Sequence, residues 1–174
     1  MLCKHISKLN GMRIILASGS ARRSQILREN LQLINFEVIP STFDENIDKS
    51  TCNGPSDYVQ QTCRAKCIDS INTNCSVDNK DKWADIIISA DTIVVYDQKI
   101  LEKPKSNANA IEMLTMLSGQ KHTVLTAVTI AVKSNNVDIN NDISKNYNVK
   151  TFYESTEGNH HYLLLISFIF IIIS

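Results

Sequence analysis

LASGSARRSQIL, residues 16–27, is the stretch on which the fold turns. The apolar run MRIILAS (12–18) leading into it reads as a buried strand. Gly19-Ser20 makes a corner, and a helix follows over about residues 20–30, with Ile26, Leu27 and Leu31 as its inner face. Arg22 and Arg23 then fall on the first helical turn, where the helix dipole disfavours each cation by roughly 0.3–1 kcal/mol. A negatively charged ligand would remove the conflict. Free N–H groups at such a turn suit phosphate, Ser18 and Ser20 add hydroxyls, and the arginines add charge-assisted bonds. The same residues also read as a capped helix with solvated arginines. Neither GxxxxGK[ST] nor GxGxxG occurs here, so those two nucleotide-binding patterns are not indicated.

Outward from this corner, strands and helices alternate. Residues 1–11 read as a frayed N-terminal extension. FEVIPS (36–41) alternates like a strand and stops at Pro40, and 43–56 is loop. Residues 57–71 read as a helix capped by Ser56, with Val59, Cys63, Ala65 and Cys67 to one side. WADIIISADTIVVYD (83–97) carries two strand-like runs, 86–88 and 93–96. A helix over 107–117 turns Ala110, Ile111, Leu114 and Leu117 inward, with Ser106 as N-cap and Gly119 just past its end. HTVLTAVTIAV (122–132) is β-branched and strand-like, with His122 as an edge-strand residue. The Asn-rich stretch 134–148 reads as a flexible insertion, and KTFYEST (150–156) as one more strand. The order predicts an α/β domain over residues 12–156.

Composition narrows the function. With 174 residues and 43% hydrophobic content the chain suits one domain with a core. A net charge of zero argues against bulk binding to nucleic acid, so any anion site is local. Five cysteines, an odd number, and the lack of a signal peptide point to reduced thiols in the cytoplasm. Cys63 and Cys67 share a helix face but lack further ligands at zinc spacing, so they read as plain thiols. YLLLISFIFIII (162–173) is uncharged, yet its twelve residues fall short of the roughly 20 a membrane helix needs.

Further polar groups gather around strand ends. In SADT (89–92) an apolar strand ends in Asp91, a group that can hold a cation or act as a base. LEKP (101–104) follows, and a turn between the two segments would return Lys103 toward Asp91. Asp44 and Glu45 add carboxylates after another strand. A cationic cradle facing acids is the arrangement for cation-assisted attack on a polyphosphate.

In order and spacing, LASGSARRSQIL, FEVIPSTFDE, ISADTIVV, ILEKP and AIEMLTMLSGQKHTVLTAV resemble the Maf-like nucleoside triphosphate pyrophosphatases. The likeness is greatest to the Maf-like domain of N-acetylserotonin O-methyltransferase-like proteins and covers about residues 13–156. It implies a Maf/inosine-triphosphatase-like mixed sheet with flanking helices and a substrate cleft. It also implies hydrolysis of a nucleoside triphosphate to the monophosphate and pyrophosphate with Mg²⁺ or Mn²⁺. By position, Asp91 matches the catalytic base. Ser18, Arg22, Arg23, Lys66, Thr92 and Lys103 match substrate-binding positions, and Glu45 with Asp91 the metal ligands. The paired arginines resemble the dTTP/UTP branch and would face the triphosphate. The partner implied is the nucleotide, not nucleic acid or a membrane, with a homodimer left open. Ala21 stands where the family usually has Pro, which is tolerable at a helix start. Beyond Thr156 the family continues with a segment of the type GEPxDKAGxYGIQG and a final strand and helix. Here EGNHHYLLLISFIFIIIS (157–174) follows instead. The expectation is a second lobe left incomplete and a divergent apolar tail. The competing reading is a catalytically impaired protein that still binds nucleotides.

Overall fold

The apolar run ahead of Gly19 forms β1 (Ile14–Leu16), buried along its whole length, at the heart of a computed structural model that describes residues 5–76, 79, 83–138 and 142–159. The expectations attached to residues 162–173 lie outside the described residues. β1 pairs in parallel with β2 (Glu37–Val38) on one side and with β3 (Ile86–Tyr96) on the other. β3 continues into β4 (Lys99–Leu101) through a tight hairpin and pairs antiparallel with β5 (Lys121–Lys133). β5 pairs antiparallel with β6 (Tyr147–Asn159), giving a six-stranded mixed sheet of order β2-β1-β3-β5-β6, with β4 also on β3. Asp97 and Gln98, at the β3–β4 hairpin, both have positive φ (47° and 63°), as a two-residue type I′ turn requires.

Among the described residues four α-helices flank the sheet: α1 (Ile6–Asn10), α2 (Ala21–Gln25), α3 (Pro55–Asn74) and α4 (Asn107–Leu117). α2 runs on into a π-helical turn, Ile26–Asn30, closed by the Leu31 N–H on the Ile26 carbonyl at 3.2 Å. α3 lies across β3 and β5. Its buried stripe is Val59, Thr62/Cys63, Lys66/Cys67 and Ser70/Ile71, the i, i+3/i+4 spacing of one helix face. The core beneath it joins Cys67 and Ile71 to Ile15, Ile87, Trp83 and Ala131, with Trp83 stacked on Tyr147 at 6.3 Å.

Several expectations are corrected. Residues 6–10 are helical rather than frayed. α3 starts at Pro55, not at a Ser56 cap, because Gly54 at φ +95° turns the chain into it. Ala65 sits beside the buried stripe. Ile26 is exposed while Leu27 alone is buried on its turn, and Ile111 is 66% exposed. α4 meets the sheet mainly at its end, where Leu117 packs with Val94, Tyr96, Leu101 and Val124. His122 is buried within the strand ladder, its Nδ1 3.0 Å from the Gln120 carbonyl. The described part of the Asn-rich stretch is anchored: Asn146 bonds both ways with the Asp138 backbone at 2.7 and 3.0 Å, and Val137 and Ile143 pack on the core. Ser106 caps α4 and Gly119 follows it at φ +70°, as read.

Candidate active site

The two apolar runs expected around Asp91 are one strand. Aspartate is depleted in strands, which made residue 91 look like an end; it lies in the middle of β3, opposite Ala127 of β5. What ends there is the neighbour, not the strand. β1 pairs only with residues 86–88 and β4 only with 94–96, leaving 89–93 open on that side. The Ala17 N–H reaches the Ile88 carbonyl at 2.7 Å, the last rung of β1. Two residues on, the Ala90 carbonyl points to the same side and accepts from Arg23 Nη1 at 2.8 Å. The same nitrogen donates to Ser18 Oγ (2.9 Å), and Nη2 donates to Thr92 Oγ1 (3.3 Å). Arg23 therefore replaces the missing strand along this gap. Burial lowers its guanidinium pKa and the charges of Asp91, Cys63 and Glu45 oppose that; an arginine stays cationic regardless. Arg22 is exposed and donates to Gln25 Oε1 at 3.1 Å, off the cleft wall.

On the α3 side of β3, Asp91 faces the helix and Lys66 answers it. Lys66 Nζ lies 2.6 Å from Asp91 Oδ1 and 2.8 Å from Glu45 Oε1. Asp91 and Lys66 are buried, at 6% and 8% exposure, while Glu45 reaches in from the exposed loop after β2. Burial pushes the Asp91 carboxyl above the ordinary aspartate range. The Lys66 ammonium opposes that, Glu45 adds to it, and Arg23 opposes it. Glu45 is placed by its loop. Asp69 of α3 accepts from Ser41 Oγ (2.7 Å) and from the Thr42 N–H (2.8 Å), pinning the chain just before it.

These groups surround a cleft of about 260 Å³. Its walls include Ser18, Gly19, Ser20, Arg23, Glu45, Lys66, Asp91, Thr92 and Lys103. Lys103, past the β3–β4 hairpin, lines the same cleft as Asp91. Thr92 Oγ1 also lies 3.2 Å from Thr126 Oγ1. Of the expected site residues, only Arg22 stands outside this wall. Glu45 and Asp91 both meet the Lys66 ammonium, and as hard oxygen donors they are residues on this wall that could hold Mg²⁺ or Mn²⁺. Among the described residues no group of three His, Cys, Asp or Glu could hold a metal by itself. Cys63 and Cys67 point into the core, and burial pushes the Cys67 thiol up to about 12.

Three residues went unread. Glu102, on the cleft wall, takes the Tyr58 hydroxyl at 2.8 Å and Lys49 Nζ at 2.9 Å on one oxygen. Glu102 adjoins Lys103 in LEKP, which was the available signal; nothing in the spacing of Lys49 or Tyr58 pairs them with it.

A protein-family model described as Maf-like protein matches residues 13–162. The nucleoside triphosphate pyrophosphatase of Dictyostelium discoideum is 41% identical over 79% of this chain and 62% of that protein. The probable bifunctional dTTP/UTP pyrophosphatase/methyltransferase protein of Homo sapiens is 40% identical over 90% of this chain and 24% of that protein. The dTTP/UTP pyrophosphatase of Bacillus cereus is 37% identical over 90% of this chain and 66% of that protein. The chain thus spans between 24% and 66% of these relatives' lengths. Among the described residues no helix is long and apolar enough to cross a membrane.

Proposed function

The chain belongs to the Maf-like family, and on that footing we propose that it hydrolyses nucleoside triphosphates of the dTTP/UTP type to the monophosphate and pyrophosphate. The observation that carries this reading is the buried Asp91–Lys66 pair, joined by Glu45 and set in a cleft lined by Arg23 and Lys103. Glu45 and Asp91 would hold a divalent cation, Mg²⁺ or Mn²⁺, which when bound would neutralise phosphate charge. Lys103, Ser18 and the remaining donors of Arg23 bind phosphate oxygens, and Arg22, next to Arg23 on α2, adds a further cation. Asp91 accepts the proton of the water that cleaves the anhydride between the α and β phosphates; pyrophosphate departs with the electrons of the broken bond. Burial makes Asp91 a better proton acceptor than a solvated aspartate. Lys66 holds its carboxylate in place. The dTTP/UTP preference draws support from the paired arginines and from the names of two relatives. Free Cys52, Cys63, Cys67 and Cys75 suit the cytoplasm.

Purified chain is incubated with dTTP, UTP, dCTP, ATP and GTP and Mg²⁺ or Mn²⁺, and pyrophosphate release is measured. Release that is fastest from dTTP and UTP is expected. Tight calorimetric binding without release would favour the nucleotide-binding reading instead. Neither binding nor release would overturn both.

A further inference from the structure

The Glu102 cluster is not used by the chemistry above, yet it joins the three segments that supply it. Tyr58 opens α3, the helix that carries Lys66; its ring is buried at 3% exposure, and only the hydroxyl reaches out to Glu102. Lys49 sits in the 3₁₀ turn Lys49–Thr51 of the loop that carries Glu45. Its ammonium meets the same Glu102 oxygen and lies 5.6 Å from the centre of the Tyr58 ring, a cation–π distance. Glu102 itself follows β4 and immediately precedes Lys103. Burial raises the Tyr58 hydroxyl pKa and the bond to Glu102 raises it further, so it stays a donor. The Glu102 carboxyl lies below its ordinary range: burial opposes this, but Lys49 and Tyr58 outweigh it. The carboxylate thus accepts two charge-assisted bonds at one atom.

We propose that Glu102, clamped by Tyr58 and Lys49, is a positioning residue that fixes Lys103 on the cleft wall and latches the Glu45-bearing loop to the β4 hairpin. The reason is geometric. Lys103 is exposed and hangs from a segment past a three-residue strand, with too few strand bonds to set its place. The neighbouring carboxylate, tied to a buried helix residue, supplies the missing anchor. The same tie draws Lys49, and with it the far lip of the cleft, against the hairpin. The kinetic consequence rests on the pyrophosphatase reading; the latch itself does not.

The test uses the full chain with Glu102→Ala, Tyr58→Phe and Lys49→Gln, each alone and combined with Lys103→Ala. Tyr58→Phe keeps the buried ring, and Lys49→Gln lies on the half-exposed side, so folding is preserved in at least these two. Hydrogen exchange without nucleotide is the first readout. Faster exchange at residues 43–52 and 101–105, with β3 and β5 unchanged, is expected in all three variants; no change there overturns the latch. Steady-state kinetics with dTTP is the second readout. A rise in KM of about tenfold with kcat within about threefold is expected, and most of it disappears in the Lys103→Ala background. An equal rise with and without Lys103 overturns the positioning role. A wild-type chain that neither binds nor hydrolyses any triphosphate overturns the pyrophosphatase reading and the kinetic role together, while exchange still decides the latch.

Discussion

Asp91→Asn preserves side-chain shape and removes the charge that faces Lys66 and accepts the proton. Turnover of dTTP is expected to fall by at least about 10², the scale of a lost general base. Stability is expected to fall little, because the carboxylate is held in a place where burial raises its pKa, and Glu45 still faces Lys66. A thermal melt alongside the kinetics checks both halves; unchanged turnover would remove Asp91 from the mechanism. The two arginines are expected to separate. Among the described residues Arg22 is tied to Gln25 alone, so Arg22→Ala is expected to raise KM with little change in kcat. Arg23 also braces the open edge of β3 beside Asp91, so Arg23→Lys, with a single-point cation for a planar fork, is expected to lower kcat by about tenfold or more. Equal KM-only effects would mean that Arg23 does not act through the strand. The sequence announced this pair as misplaced cations on a helix start. It did not show that one of them is answered by protein acceptors, because the Ala90 carbonyl and Thr92 lie 67 and 69 residues away.

The bounds of β5 and α4 were legible because their periodicity was regular, though the buried face of α4 was not. Elements were misread where a functional group interrupts the pattern. β3 looked like two strands because Asp91 and Thr92 sit where an apolar strand is expected to continue, and because its partners change there from β1 to β4. That change is tertiary information, and it is also what opens the cleft. The inward stripe of α3 includes Thr62, Lys66 and Ser70 as well as apolar residues, which hid its true face. Lys66 is marked by the family resemblance alone, since a lysine on a buried helix face has no periodic signal. The loop carrying Glu45 is fixed by a device equally silent in sequence, Asp69 on α3 receiving Ser41 and Thr42. Asp69→Ala frees that segment without removing any side chain that lines the cleft. The cation concentration at half-maximal rate is expected to rise about three- to tenfold, the worth of one or two lost hydrogen bonds. An unchanged cation dependence would show that Glu45 is placed by Lys66 alone.

At the scale of the molecule, the sheet is tied at the end away from the cleft. Asp85 stands just before β3. Its Oδ2 accepts the Arg13 N–H at 2.9 Å ahead of β1, and its Oδ1 meets Lys133 Nζ at 2.8 Å at the end of β5. Backbone bonds between Asp85 and both residues, at 2.8 and 2.9 Å, complete a junction of three strands. Burial pushes the Asp85 carboxyl up, but Lys133 and the Arg13 N–H outweigh it and hold it below the ordinary range. The folded chain therefore gives up this proton more readily than the unfolded chain. The resulting stabilisation is fully present above the unfolded value, about 3.9, and is lost as pH falls through the lower folded value. Asp85→Asn is expected to destabilise the protein at pH 7 by about 0.5–1.5 kcal/mol; the side chain is 36% exposed, so screening keeps the loss small. The gap between mutant and wild type is expected to close as pH is lowered below about 4. Asp91 lies about 20 Å farther along the same strand, at some 3.3 Å per residue, so turnover at pH 7 is expected to stay within about twofold. Urea titrations from pH 7 to 3 with parallel turnover assays check this. A gap that persists at low pH would mean that the loss comes from the fit of the amide rather than from the Asp85 charge; no gap even at pH 7 would mean that the backbone bonds hold the junction without it.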